Sequence, residues 1–476
     1  MSCSCTASPT QTISKEIEEK IHNHPCYSEG AHQHYARIHL PVAPACNIQC
    51  NYCNRKYDCS NESRPGVTSA KLKPLQAVKK VLHVGSKIAQ LSVVGIAGPG
   101  DALANAKATF ETFRMLQEKT PDLKFCLSTN GLKLPEYIEE ILKYNIDHVT
   151  VTINTVDESG EIGSKIYPWI HWEHKKIRGK EAAKILLKQQ LEGIKMLTQR
   201  GVLVKANSVL IPGINDKDLP NVAKKLKSLG VFLHNIMPLL SAPEFGTKFG
   251  LDGVPSASDQ EVMAAQEACG MDMKLMSHCR QCRADAVGLI SQDRGEEFTE
   301  VDLDAMSFEE LESAYDLPSR IKKHEMIEMW RKHLALANQK VKIEQASKEE
   351  LSSIGVTKLI AVTSLGEGVI NMHFGSAKEF LIYEVGDRAI KFLMHRKIKS
   401  AYCSGAENCN NNPIEEIKET LKDCFVLLTQ KIGDCPMEEL NSIGLICDES
   451  FANEPIEKSV FEAYKKHNQS KELEVG

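Results

Sequence analysis

The sequence predicts a mixed α/β protein in two parts, a partial barrel of six βα units followed by a small α/β domain. Two patterns carry that prediction. Short strand-like runs alternate with amphipathic stretches from about 36 to 240, and the composition turns charged and helical at 301–350 before strand patterns resume. At 476 residues the chain also exceeds one ordinary domain, so two or three are expected.

The strand runs are ARIHLPV at 36, LSVVGIA at 91, KFCLST at 124, HVTVTI at 148, VLVKANSVL at 202 and FLHNIMP at 232. Between them, 73–84, 106–118, 134–144, 181–199 and 217–228 place apolar residues at helical spacing. Six strands, each separated by a helix, imply parallel βα units. The count fits a partial (βα)6, TIM-like barrel, and pattern alone leaves a doubly wound open sheet as the alternative. Either architecture gathers ligands at the carboxyl ends of the strands, where the βα loops emerge.

The stretch 1–20 reads as a disordered tail, 21–300 as the barrel domain, 301–350 as a helical linker, and 351–476 as the small domain. Within the last, VTKLIAVTS and GEGVINMHFGSAKEFLIYEV read as a strand pair. A helix at 413–421, a strand at 424–429 and a helix at 454–467 follow.

Bulk properties narrow the function. A net charge of −5 without a basic stripe argues against nucleic acid as partner. The opening MSCSCTASPTQTISKEIEEK lacks the pattern of a secretory signal, and no apolar run is long enough for a bilayer. A cytoplasmic protein without a membrane partner is expected. Sixteen cysteines are then read as metal or redox ligands rather than disulfides.

Cys46, Cys50 and Cys53 supply three thiols in one short loop directly after the first strand. Three ligands on a 4Fe–4S cubane leave one iron open to chelate the amino and carboxylate groups of S-adenosylmethionine (SAM). One electron then breaks the sulfonium C–S bond and releases a 5′-deoxyadenosyl radical. Zinc is the alternative, but it favours paired hooks with matching spacing, and ferredoxin runs are spaced differently. Gly98, Pro99, Gly100 and Asp101 end the second strand, where exposed backbone and a carboxylate suit the methionine ammonium; this loop resembles the glycine-rich SAM motif of radical SAM enzymes. Ser128, Thr129 and Asn130 end the third strand and Asn154 the fourth, as hydrogen-bonding groups for SAM or as turn formers.

More soft ligands remain than one cluster needs. His24 and Cys26 lie upstream of the barrel, Cys126 lies in the third strand, and Cys279 and Cys282 follow the sixth. Imidazole and thiolate together suit iron–sulfur or zinc centres. Cys126 in an apolar strand also fits an inert core thiol. Cys279 and Cys282 stand beside arginines that favour thiolate. His22, His32 and His39 read as ordinary polar or packing residues.

The run HPCYSEGAHQHYARIHLPVAPACNIQCNYCNRKYDCSNESRPGV resembles the signature region of the NifB family of nitrogenase cofactor biosynthesis proteins. HCRQCRADAVG at 278–288 and NSVLIPGIND at 207–216 resemble its later motifs, so the likeness spans about 20 to 295. From 356, GEGVINMHFGSAKEF is similar to the NifX-type, RNase H-like cofactor-binding domain, although CSGAENCNNN departs from the glycine-rich stretch of that domain.

The resemblance implies a SAM-binding 4Fe–4S cluster and two further 4Fe–4S clusters that are substrates. It implies methylation of a cluster sulfide, hydrogen abstraction, carbide insertion and fusion to an eight-iron precursor. His24, Cys26, Cys126, Cys279 and Cys282 would hold the substrate clusters, with His34 a further candidate. Cys59 and Glu62 would serve as transient sulfur ligand and proton acceptor, or are plain loop residues, and Arg64 would hold the SAM carboxylate. Expected partners are nitrogenase cofactor assembly and carrier proteins and an electron donor of ferredoxin or flavodoxin type. A different radical SAM maturase with an auxiliary cluster, or an iron–sulfur scaffold, would share part of this pattern.

Overall fold

The computed structural model describes residues 24–25, 27, 31, 33–57, 64–144, 146–270, 273–276, 281–289, 293–299, 301–340, 344–345, 357–386, 389–398, 401–402 and 413–474. Six parallel strands follow one another across a single sheet. They are β1 (Ala36–His39), β2 (Leu91–Ile96), β3 (Lys124–Thr129), β4 (Ile146–Thr152), β5 (Leu203–Leu210) and β6 (Leu233–Pro238). A seventh strand, β7 (Val287–Leu289), pairs antiparallel with β1. Neighbours in sequence are neighbours in the sheet, the order a curled half-barrel requires.

The helices fall where the periodicity places them: α1 (Pro74–Lys87), α2 (Ala106–Lys119), α3 (Ile138–Ile141), α4 (Gly179–Gln199) and α5 (Leu219–Ser228). They cover the outer face of the sheet. Val94, Ile96, Phe125, Leu127, Val149 and Val151 point outward into one apolar core with Val81, Leu82, Phe113 and Ile194. Alternation along each strand sends the intervening residues to the other face. There the side chains are polar: His39, Cys126, Ser128, His148, Thr150, Lys205, Asn207 and Asn235 line one cavity. Burial on the outer face therefore stabilises the sheet and leaves the inner face free for chemistry. The strand register aligns His39 with Gly95, Gly95 with Cys126, and Cys126 with His148, one row across four strands.

Helices α6 (Asp259–Gly270), α7 (Phe308–Tyr315) and α8 (Leu317–Lys340) follow the sixth strand. The last two pack on the barrel. Arg320, 3% exposed, donates to the carbonyls of Gly85, Ile88 and Leu91 and pairs with Asp122 at 2.9 Å. A Cβ at Gly85 would stand 2.3 Å from the Tyr315 ring, so glycine lets α7 lie against α1.

The C-terminal domain is a mixed sheet with β8 (Lys358–Val362) between β9 (Glu379–Val385) and β11 (Cys424–Leu428); β10 (Ala389–Lys397) and β12 (Ile446–Asp448) flank them, and Glu344–Gln345 adds an edge. Helix α11 (Ile456–Glu474) packs Val460, Phe461 and Tyr464 on one face, and α9 (Ile414–Leu421) and α10 (Asp434–Asn441) cover the other. Among the described residues no helix is long and apolar enough to cross a membrane.

Candidate functional site

The barrel interior holds a cavity of about 300 Å³ at the carboxyl ends of the strands. Cys46, Cys50 and Cys53 line it, on the loop that leaves β1. Burial pushes the Cys46 thiol up to about 12, with the Asp101 charge adding to the effect, and burial also raises Cys50 and Cys53. Desolvated thiols of this kind ionise only against a strong cation. Three of them on one loop, opening on a cavity, fit a 4Fe–4S cluster.

The second loop is strapped to the first. Gly100 N–H donates to the Ala43 carbonyl at 2.7 Å and Asp101 N–H to Ala45 at 2.8 Å; a Cβ on Gly100 would meet the Ala45 oxygen at 2.0 Å. Gly98, Pro99 and Gly100 belong to this loop, and Pro99 and Gly100 face the cavity. The Asp101 carboxylate accepts from the backbone of Leu103, Ala104 and Asn130 and from the Thr129 hydroxyl, at 2.6–3.0 Å. Four donors fill its lone-pair capacity. Its acceptor capacity, expected from sequence to serve an ammonium, goes to tying the loops after β2 and β3 together.

Asn154 is similarly engaged. It donates to the Tyr52 and Tyr167 hydroxyls at 3.0 and 2.8 Å and accepts from Val209 N–H at 2.8 Å. Tyr52 in turn hydrogen-bonds Cys50, so Asn154 steadies a thiol through a tyrosine. Asn130 lies 3.7 Å from the Cys46 sulfur and donates to Asn47 at 2.7 Å. Ser128 faces the cavity, as does Arg64, whose guanidinium donates to the Asn54 carbonyl at 2.9 Å.

A second ligand group lies deeper in the same interior. His24, Cys126 and His148 bring their ligand atoms within 4.8 Å of one another, and all three are buried. Tyr27, three residues beyond His24, packs with Leu203, Leu233 and Met276. Burial holds both imidazoles well below their usual range; His148 adds to the effect on His24, and Lys205 to that on His148. Burial thus favours the neutral imidazole, the form that ligates metals. Buried His148 Nδ1 has no hydrogen-bond partner among the described residues. His39 stands on the other side of Gly95 from Cys126. Its Nδ1 donates to the Arg283 carbonyl at 2.9 Å, which leaves the Nε2 lone pair available. Cys282 lines the cavity beside β1 and accepts from Arg37 at 3.2 Å.

The structure thus brings Cys46, Cys50, Cys53, Cys126 and Cys282 to one cavity, with His24 against Cys126. Cys26, Cys59, Glu62 and Cys279 lie outside the described residues. His34 sits elsewhere, near Gly368 of the C-terminal domain. Sequence reasoning missed His148 and set His39 aside. The available signal was their position: each alternates with apolar neighbours on a strand whose apolar face is already committed to the core.

Two family profiles match the chain, Radical SAM superfamily over residues 40–226 and Dinitrogenase iron-molybdenum cofactor over 356–466. The fold, the cysteine loop and these matches accordingly define a radical SAM enzyme with a C-terminal domain of the dinitrogenase iron-molybdenum cofactor family, a class that uses a 4Fe–4S cluster and SAM. The FeMo cofactor biosynthesis protein NifB of Herbaspirillum seropedicae is 50% identical over 96% of this chain and 85% of its own length. The proteins of the same name from Azotobacter vinelandii (46%, covering 99% and 94%) and Klebsiella pneumoniae (44%, covering 93% and 90%) extend the match. The chain belongs to the NifB family of FeMo cofactor biosynthesis proteins.

Proposed function

We propose that this protein builds the carbide-centred eight-iron precursor of nitrogenase cofactor from two 4Fe–4S substrate clusters. One SAM gives its methyl group to a substrate sulfide and leaves as S-adenosylhomocysteine. A second SAM, on accepting one electron, gives methionine and a 5′-deoxyadenosyl radical, which takes hydrogen from that methyl group and leaves as 5′-deoxyadenosine. Loss of the remaining hydrogens, fusion and one added sulfur complete the precursor. When bound at Cys46, Cys50 and Cys53, the resident cluster supplies that electron.

The observation that carries this reading is the sharing of one barrel interior by two soft-ligand sets, the cysteine loop and the group His24, Cys126 and His148. In this reading Gly98, Pro99 and Gly100 shape the SAM site, Ser128, Asn130 and Arg64 contact SAM, and Asp101 and Asn154 hold its walls. His24, Cys26, Cys126, Cys279 and Cys282 hold the two substrate clusters, one of them at the group that His24 and Cys126 form with His148. Cys59 acts as transient sulfur ligand and Glu62 as proton acceptor. Few protein ligands per substrate cluster suit clusters that must fuse and leave. The work is cytoplasmic, with electrons from a ferredoxin or flavodoxin and product passed to cofactor carrier proteins.

The test is reconstitution with iron and sulfide, reduction, and addition of SAM carrying a labelled methyl group. Both S-adenosylhomocysteine and 5′-deoxyadenosine are expected, with label retained in an eight-iron cluster. Deoxyadenosine alone would point to another radical SAM maturase, and neither product to a scaffold or carrier.

A further inference from the structure

The barrel interior is cationic. Among the described residues that line the cavity, Arg37, Arg55, Arg64 and Lys205 stand against one carboxylate, Asp101, whose lone pairs are already filled by internal donors. Arg37 donates to the Gly288 and Leu289 carbonyls and the Cys282 sulfur and lies 3.9 Å from the Asp293 carboxylate, Arg64 donates to the Asn54 carbonyl, and Arg55 stands at the cysteine loop. Lys205 is different. It is 7% exposed, sits in the middle of β5, and among the described residues its ammonium makes no hydrogen bond or ion pair.

The Lys205 side chain lines the cavity, so the ammonium is available to an anion delivered by a ligand bound there. Its place narrows which one. Lys205 is paired with Thr150, two residues along β4 from His148, and its charge is felt at His148 and His24. The three cysteines of the loop are influenced instead by Arg55, with Asp101 acting on Cys46 and Arg64 on Cys53.

We propose that Lys205 is a binding residue for an anionic iron–sulfide ligand, donating N–H bonds to the sulfides of the substrate cluster that occupies the His24–Cys126–His148 group. This rests on the reading that a substrate cluster is held there. As thiolates are released and sulfides and carbide accumulate, the growing cluster depends less on covalent anchors. A fixed ammonium then keeps it in the barrel by charge, without a bond that has to be broken for it to leave.

The test uses the full chain in a background where Cys46, Cys50 and Cys53 are alanine, so that bound iron reports the interior ligands. After reconstitution with iron and sulfide, Lys205→Met is expected to lose iron to a chelator about tenfold faster than its parent, as expected for one nearby charge at intermediate dielectric. The midpoint potential of the remaining cluster should fall, because removing a positive charge disfavours the added electron. Lys205→Arg should restore both. In the otherwise wild-type chain, SAM affinity should be the same for all three residues.

If Lys205→Met retains iron and titrates like its parent, the proposal is wrong while the substrate-cluster reading stands. If SAM affinity falls and iron retention does not, the lysine serves the SAM carboxylate and the proposal is again overturned. If the parent itself binds no iron although it melts like the wild type, both the proposal and the reading beneath it fail. Lys205→Gln, polar and neutral, repeats the comparison should the methionine variant not fold.

Discussion

A Cβ at Gly95 would stand 2.9 Å from the Cys126 sulfur and 3.0 Å from the His39 ring. The glycine is thus the gap in the row His39, Gly95, Cys126, His148 that lets a ligand sit against the strands. Gly95→Ala should displace the Cys126 thiol and cost about 1–3 kcal/mol by overpacking. Iron analysis should show loss of interior iron with the cluster at Cys46, Cys50 and Cys53 intact; full interior loading in this variant would contradict the ligand assignment. Which of these residues sequence could reveal depends on distance along the chain. Cys46, Cys50 and Cys53 share one loop, so their spacing alone carries the chemistry. His24 and Cys126 were found only as a surplus of soft ligands. His148 was hidden because HVTVTI reads as an ordinary strand, and its meeting with Cys126 exists only in the register. Asp101 and Asn154 show the converse, since residue type marked them and only the hydrogen bonds reveal that they brace loops and a tyrosine.

At the scale of elements, helices α7 and α8 depend on one buried pair. Arg320 and Asp122 are 3% and 4% exposed, and Tyr315 donates to the same carboxylate at 2.7 Å. Arg320→Met would leave Asp122 buried without its cation and take a donor away from three carbonyls, a loss of about 3–5 kcal/mol. Thermal unfolding should show it; a change below about 1 kcal/mol would mean that these helices dock by apolar contact alone. In the C-terminal domain Asp448 anchors α11. Burial alone would raise its carboxyl, but hydrogen bonds from Lys466, Ser450 and His467 outweigh that and hold it well below the usual carboxylate range. A depressed carboxyl contributes stability that is present above its unfolded value and lost as pH falls towards the folded one. Asp448→Asn should therefore destabilise the domain at neutral pH and flatten its loss of stability below about pH 4. Melts of both forms across pH 3–7 check this; parallel curves would refute it. The six barrel strands were legible because each commits one face to the core. The hairpin Trp169–Trp172 and Lys175–Arg178 was not, since its turn places Glu173 and His174 at positive φ (47° and 63°) without the expected Asn or Gly. Helix α6 escaped because it buries little beyond Val262 and Cys269.

For the whole molecule the question is how the C-terminal domain is held to the barrel. Glu367, in the Gly-Glu-Gly turn that opens the stretch similar to the NifX-type domain, donates its N–H to the Gln33 carbonyl at 2.7 Å and accepts from the Trp330 indole at 3.1 Å. Gln33 lies nine residues beyond His24. A Cβ on Gly368, at φ +74°, would meet Leu334 of α8 at 2.8 Å. The turn is thereby built for close approach to α8, and one end of the motif belongs to docking. Each such hydrogen bond contributes roughly 0.5–1.5 kcal/mol net, so losing one shifts the docked population by about tenfold at most. Gly368→Val combined with Trp330→Ala removes the close approach and one bond together. The double variant is expected to expand in small-angle scattering and to expose the turn to protease, while Ile360, Val426 and Phe461 keep the core of the domain and its own melting transition. Scattering identical to the wild type would mean that the two domains are held together by other contacts. Loss of the domain's melting transition would mean instead that the turn serves its own fold, and the docking role would then have to be abandoned.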